Sequence, residues 1–146
     1  MLVKSLWWLF LINSLAIRGQ SIKLEDPVLG TVYTKADQEA VFSNLDESIH
    51  LQQYFINFFA KNTAIEHAAP CTLLLTLTID RNGYSSLSRS SANDPSIDLV
   101  PYKLVECIER MPKWIPATDR GKKVNFQVIL SLKTEGQTVS VRQLKF

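Results

Sequence analysis

Two histidines are the chain's candidates for acid–base or metal chemistry, and neither has a suitable neighbour. His50 falls in a stretch with helical spacing of apolar residues, and His67 precedes Ala68, Ala69 and Pro70. A catalytic nucleophile needs a base and a group that orients it, and a zinc site needs ligands at short, regular spacing. Neither pattern surrounds these histidines. We therefore predict that His50 is an exposed residue of a helix and that His67 lies in a loop. We also predict that the protein is not an enzyme.

The carboxylates give no stronger signal. Asp80 and Asn82 have the first spacing of a calcium loop, but the ligands that would continue an EF-hand are missing. Asn82 and Gly83 instead form a strong hairpin-turn signal. No glycine-rich phosphate loop occurs. We therefore expect no metal, no cofactor and no small-molecule substrate.

Cys71 and Cys107 are the only cysteines. In an oxidising compartment they could form a disulfide. Both are flanked by apolar residues, so they could equally be buried free thiols. The sequence leaves both alternatives open.

The N-terminus indicates export. Lys4 precedes the apolar run of residues 6–12, which residues 15–17 extend. This run is shorter than the ~20 residues that span a bilayer and is typical of a signal peptide. We assign residues 1–19 to a signal peptide or a short N-terminal anchor. Loss of Lys4 and Arg18 would leave 14 basic and 14 acidic residues, so no positive charge excess favours nucleic acid or an anionic membrane as partner.

The remaining chain has room for one globular domain, because it has 146 residues in all and 46% of them are hydrophobic. We interpret residues 20–42 as a linker or lead-in with one short strand at 31–34. Residues 43–146 form the predicted domain. Its first helix is predicted over 45–61, capped by Ser43 or Asn44, with Asn62 suited to follow its end.

Strands are predicted where apolar residues alternate. Residues 72–80 and 84–90 form a hairpin around Asn82 and Gly83. A second helix is predicted over 99–110, with one apolar face made of Val100, Leu104, Cys107, Ile108 and Met111. Residues 124–133 and 138–146 form the last two strands. This order predicts an α+β two-layer sandwich, with an antiparallel sheet of three to four strands and two helices on one face.

Residues 42–133 resemble the C-terminal domain of TonB, a periplasmic energy-coupling protein of Gram-negative bacteria. The resemblance rests on "TIDRNG" with the serine-containing strand after it, on Ile97 and Asp98 before a helix, and on "MPKWIPA" followed by "GKKV". The residues of these motifs are Asn82, Gly83, Met111, Pro112, Trp114, Pro116 and Gly121. The resemblance implies a periplasmic protein, either free or anchored in the inner membrane.

The resemblance also implies a function in TonB-dependent outer-membrane transport. The family adds an extended peptide, the TonB box of a receptor, as a strand along the last strand of its sheet. The matching edge strand here comprises Val124, Asn125, Phe126, Gln127, Val128, Ile129, Leu130 and Ser131. The long proline-rich spacer of TonB is missing, and Ser43 and Asn44 replace a common glycine pair. If residues 138–145 fold back as a hairpin, they would cover this edge and become the exposed one.

Two alternatives to peptide binding remain open: a stand-alone structural domain, and a self-associating domain whose sheet edge pairs with a second copy as a homodimer. In each case the "MPKWIPATDRGKKV" stretch is interpreted as a structural joint. Pro112 ends the second helix, Trp114 covers the helix–sheet seam, Pro116 keeps the link extended and Gly121 turns the chain into the next strand. Lys113, Arg120, Lys122 and Lys123 are predicted to be solvated.

Overall fold

The computed structural model describes residues 22–42 and 47–145. The strands are β1 (Lys23–Asp26), β2 (Gly30–Tyr33), β3 (Cys71–Ile79), β4 (Ser85–Ala92), β5 (Ala117–Asp119), β6 (Lys122–Glu135) and β7 (Thr138–Leu144). The α-helices are α1 (Glu47–Ala60) and α2 (Leu104–Glu109), and Thr63–Ile65 and Val100–Tyr102 are short 3₁₀ helices. The predicted signal segment and the predicted caps Ser43 and Asn44 lie outside the described residues. Among the described helices, none is long and apolar enough to cross a membrane.

The sheet confirms the α+β class but is larger than predicted. It has seven strands, in the order β1-β2-β6-β3-β4, with β5 and β7 also paired to β6. β2 runs parallel to β6, with Val32 opposite Asn125, whereas all other pairs are antiparallel. The prediction of three to four antiparallel strands was therefore wrong. β2 matches the short strand predicted at 31–34, but no sequence pattern placed β1, β2 or β5 in the sheet.

The segment interpreted as a linker supplies two of these strands. The Asp26 side chain accepts hydrogen bonds from the backbone N–H groups of Val28 and Leu29, at 2.8 and 2.9 Å. These bonds lower the pKa of Asp26 and close a turn between β1 and β2. Val32 then enters the interior with 4% of its surface exposed. Residues 22–42 thus belong to the folded domain rather than to a linker.

One hydrophobic core joins the helices to the sheet. Alternate residues of β3, from Cys71 to Ile79, are buried together with Phe126, Val128, Leu130 and Leu132 of β6. Phe55 and Phe59 of α1 are fully buried in the same cluster. The alternation predicted for these strands is confirmed, and α1 lies within the helix predicted over 45–61.

The second predicted helix is broken. Val100–Tyr102 forms a 3₁₀ turn, Lys103 adopts a left-handed conformation with φ of 53°, and α2 runs only from Leu104 to Glu109. Within the 3₁₀ turn, Tyr102 is buried, whereas Val100 is 80% exposed. The predicted apolar face is therefore right for Leu104, Cys107, Ile108 and Met111, which are buried, and wrong for Val100.

Candidate functional site

The strand predicted to bind peptide lies inside the sheet. β6 pairs with β3 along residues 126–134. On its other side it pairs with β2 at Asn125 and Phe126, and with β7 from Ile129 to Glu135. The stretch from Val124 to Ser131 is therefore not an edge strand. The sequence analysis had named this alternative, since residues 138–145 do fold back as a hairpin.

The outer edge of β7 is also partly closed, by a side chain of α1. The Gln52 amide nitrogen donates to the Val139 carbonyl at 2.8 Å, and the Val141 N–H donates to the Gln52 side-chain oxygen at 2.6 Å. The Val139 carbonyl and the Val141 N–H point to the same side of β7, because these residues are two positions apart on one strand. The Gln52 amide therefore takes the place of a neighbouring strand's peptide group.

Along β6, a gap of two residues separates the part that pairs with β2 from the part that pairs with β7; we call this gap the notch. Gln127 and Val128 have no partner from either strand, and they line a pocket of about 190 Å³. Lys145 and Glu39 form an ion pair across this region at 3.7 Å. A notch two residues long is too short for a strand to pair, because strands in proteins usually span at least three residues.

β4 is the terminal strand of the sheet order, and its outer edge is open. Asn93, directly after β4, donates its N–H to the Thr72 carbonyl at 2.9 Å. Backbone groups alternate in direction along an antiparallel pair, so the N–H groups of Ser90 and Ala92 point away from β3. Within the described part of the chain, no hydrogen bond reaches the backbone of residues 86–92 from outside the β3 pairing.

An apolar groove of about 670 Å³ runs beside this edge, between β4 and α2. Leu87 and Leu99 line it, together with two exposed valines, Val100 and Val105, at 80% and 56% exposure. Exposed backbone groups and apolar side chains thus lie next to each other. A strand added at β4 could pair with the edge and place every second side chain toward the groove.

The motif residues of the "TIDRNG" and "MPKWIPA" stretches meet at one joint. Asp80 accepts from the N–H groups of Asn82 and Tyr84 at 2.8 and 3.0 Å, and Gly83 adopts φ of +89°. The Trp114 N–H then donates to the Gly83 carbonyl at 2.9 Å. The predicted hairpin is confirmed, although only the glycine, and not Asn82, takes a positive φ.

Trp114 is buried, with 2% of its surface exposed, and its ring packs edge-on against Phe42 with centroids 5.2 Å apart. At the second predicted turn, Arg120 and Gly121 both adopt positive φ between the paired residues Asp119 and Lys122. Gly121 thus has the turn position predicted for it, whereas α2 ends at Glu109, before Pro112. The basic residues Lys113, Arg120, Lys122 and Lys123 are exposed.

The two cysteines are free and buried, which is the second of the two alternatives that the sequence left open. Cys71 Sγ lies 3.1 Å from the Thr134 hydroxyl and 3.4 Å from the Tyr102 hydroxyl. Burial raises the pKa of the Cys107 thiol to about 12 and also raises the pKa of Tyr54, whose hydroxyl donates to the Cys107 carbonyl. A protonated, buried thiol is a poor nucleophile, so the Cys107 thiol packs rather than reacts.

The other candidate residues are dispersed. His50 and His67 are exposed, and Asp80 serves the turn after β3. Sequence analysis missed Gln52, since a single glutamine on a helix carries no signal of what it contacts. It also missed the open edge at β4, although the serine-rich composition of that strand indicated a half-exposed position.

Comparison with known proteins identifies no relative: no family model, no curated protein and no solved structure matches this chain.

Proposed function

We propose that this chain is an exported, periplasmic protein- or peptide-binding domain resembling the TonB C-terminal domain, and that its partner adds an extended segment as a strand along the outer edge of β4. The proposed partner is a receptor segment such as a TonB box, in the context of TonB-dependent outer-membrane transport. The observation that carries the proposal is the open edge of β4 beside the groove lined by Val100 and Val105.

The order of the elements supports the family part of the proposal. Excluding β1, β2 and β5, the described chain runs from α1 through β3 and β4 to α2 and then β6 and β7. The part of this order from β3 to β6 is the order in which the resemblance places its motifs, and both helices pack into one core with the sheet. The finer two-layer, TonB-like arrangement is part of this proposal.

The position of the peptide differs from that implied by the resemblance. In the family the peptide joins the strand that corresponds to β6, but β2 and β7 already pair with that edge here. Releasing β7 would break seven residue pairs with β6 and the two Gln52 bonds. The edge of β4 needs no such rearrangement, so strand addition there is favoured.

The test is a proline substitution that removes one outward N–H group. Proline has no N–H and is tolerated on edge strands, so Ser90→Pro should leave the β3 pairing intact. The affinity for a fluorescent synthetic TonB-box peptide is measured. We expect Ser90→Pro to weaken this affinity about tenfold, because the substitution removes one hydrogen-bond donor and the proline ring blocks the edge. Ser90→Ala keeps the N–H and should bind like the unmodified protein.

Equal affinity of Ser90→Pro and the unmodified protein would contradict strand addition at β4. A second copy of the chain could occupy the same edge. Sedimentation of the protein without peptide separates this alternative, because a concentration-dependent dimer that Ser90→Pro abolishes would favour a self-associating domain.

A further inference from the structure

A second pocket lies between the two helices and shares the residues Lys103, Glu106 and Arg110 with the groove beside β4. Its volume is about 350 Å³. Residues from the C-terminal half of α1 and its end form one wall, and residues on and next to α2 form the other. The lining residues are Tyr54, Asn57, Phe58, Lys61, Asn62, Lys103, Glu106 and Arg110. Neither the resemblance nor the proposed function assigns it a role.

The charges around this pocket are unbalanced. It has three basic side chains and one acid, and that acid, Glu106, forms an ion pair with Arg110 at 2.7 Å. Lys61 and Lys103 have no ion pair with any described residue. Two ammonium groups therefore face the pocket region without a counter-ion from the described chain, which favours an anionic ligand.

The floor of the pocket is aromatic. Tyr54 and Phe58 lie one helical turn apart on α1, and their rings stack with centroids 6.5 Å apart and an interplanar angle of 24°. Both side chains remain partly exposed because they line this pocket. The Tyr54 ring is held in place because its hydroxyl donates to the Cys107 carbonyl. Such a surface offers stacking to an aromatic or large apolar group.

The polar groups beside the rings are also fixed. Asn62 donates to the Pro101 carbonyl at 2.9 Å and accepts from the Ala64 N–H at 3.1 Å, so it joins the two helical segments. Asn57 accepts from Gln53 at 2.8 Å, and its amide nitrogen has no acceptor within the described chain. Asn57 thus gives the lining of the pocket an amide donor for a ligand oxygen.

We propose that this pocket binds a carboxylate attached to an aromatic body, with Lys61 and Lys103 contacting the carboxylate and Tyr54 and Phe58 contacting the ring. Either a small aromatic acid or the last residue of a polypeptide would supply this chemistry. Lys103, Glu106 and Arg110 line both this pocket and the groove beside β4, whereas Tyr54, Asn57, Phe58 and Lys61 line this pocket alone. The inference is therefore separable from strand addition at β4 through the signals of Asn57 and Lys61.

The test uses four probes in ¹⁵N NMR titrations: N-acetylphenylalanine, its uncharged amide, phenylacetate and acetate. We expect the two aromatic acids to shift the backbone signals of Asn57, Lys61, Lys103 and Glu106, and the amide and acetate to bind about tenfold more weakly or not at all, because each lacks one of the two recognised groups. Tighter binding of N-acetylphenylalanine than of phenylacetate identifies a chain end, and the reverse order identifies small acids.

Lysine variants complete the test. Lys103→Gln is the more informative single substitution. Lys61 follows the C-terminal end of α1, where its charge also interacts favourably with the helix dipole, so its replacement would affect helix stability as well as binding. We expect Lys103→Gln to weaken binding of the aromatic acids several-fold and Lys61→Gln/Lys103→Gln to abolish it. The matched control is Lys122→Gln/Lys123→Gln, which removes two exposed lysines elsewhere. Equal binding of the acid and its amide, or equal losses in the variant and the control, would overturn the proposal.

Discussion

Gly83 is the residue at which the turn after β3 touches the segment after α2. A Cβ atom at this position would lie 2.2 Å from the Trp114 carbonyl oxygen, and the backbone has a positive φ. We expect Gly83→Ala to lower the free energy of unfolding by about 3 kcal/mol, because backbone strain and a clash with main-chain atoms add. Urea denaturation measures this.

Gly121 provides the control for that substitution. It also has a positive φ, of +76°, but no atom lies within 4 Å of its would-be Cβ. Gly121→Ala should therefore lower the free energy of unfolding by the backbone strain alone, about 1 kcal/mol. Equal losses in the two variants would show that the contact with Trp114 contributes nothing.

Trp114 tests whether the "MPKWIPATDRGKKV" stretch is a structural joint or a binding site. Its ring is buried against Phe42, so we expect Trp114→Ala to destabilise the domain by about 3–5 kcal/mol. Ile115→Ala, at a neighbouring side chain that is 42% exposed, should cost far less. Thermal melting compares them, and a Trp114→Ala protein with unchanged melting but lost peptide binding would contradict the structural role.

Cys107 gives the fold a dependence on alkaline pH. Its folded-state pKa of about 12 exceeds the ordinary value of 9.0, so the unfolded chain releases the proton first as pH rises. The stabilising contribution is complete below pH 9 and is lost as pH rises from there toward 12, by up to about 1.4 kcal/mol per pH unit. Urea unfolding at about pH 8 and about pH 11 should show a smaller loss for Cys107→Ala than for the unmodified protein.

Among the secondary-structure elements, β7 depends on a single side chain for the closure of its outer edge. Gln52→Glu keeps the acceptor for the Val141 N–H but replaces the donor to the Val139 carbonyl with a second oxygen. We expect a loss of about 1–3 kcal/mol, because the carbonyl loses its partner and faces a negative charge. Gln53→Glu is the matched control, since Gln53 is exposed and bonds only to Asn57. Similar unfolding curves for the two variants would contradict the assigned role of Gln52.

Elements with strong local patterns were predictable from the sequence. Apolar residues alternate along all nine residues of β3 and along residues 124–132 of β6, and the Asn82–Gly83 turn has its own signal. The four-residue strands β1 and β2 lack such a pattern, because β1 is almost wholly exposed and β2 gains its position from a parallel partner far along the chain. The left-handed Lys103 that shortens α2 also has no local signal, since lysine rarely adopts that conformation.

At the scale of the whole molecule, the open edge of the sheet is β4 and not β6, the strand for which an edge position was predicted. β6, the strand predicted to bind peptide, lies inside the sheet, because β2 and β7 pair with it on the side where a peptide would add. This could not be read from residues 124–131 themselves, because an edge strand and a central strand can have the same alternation. The groove beside β4 likewise includes Val100, which the sequence pattern placed on the buried face of the second helix and which is exposed in the 3₁₀ turn before α2.

Amide hydrogen exchange with and without a TonB-box peptide tests the central claim most directly. In the free protein the N–H of Val141 should be protected by Gln52, whereas those of Ser90 and Ala92 should exchange rapidly because they face outward without a partner. We predict that the peptide slows exchange at Ser90 and Ala92 and leaves Val139 and Val141 unchanged. Unaltered exchange at Ser90 and Ala92, with faster exchange along β7, would show that the peptide displaces β7 and would contradict strand addition at β4.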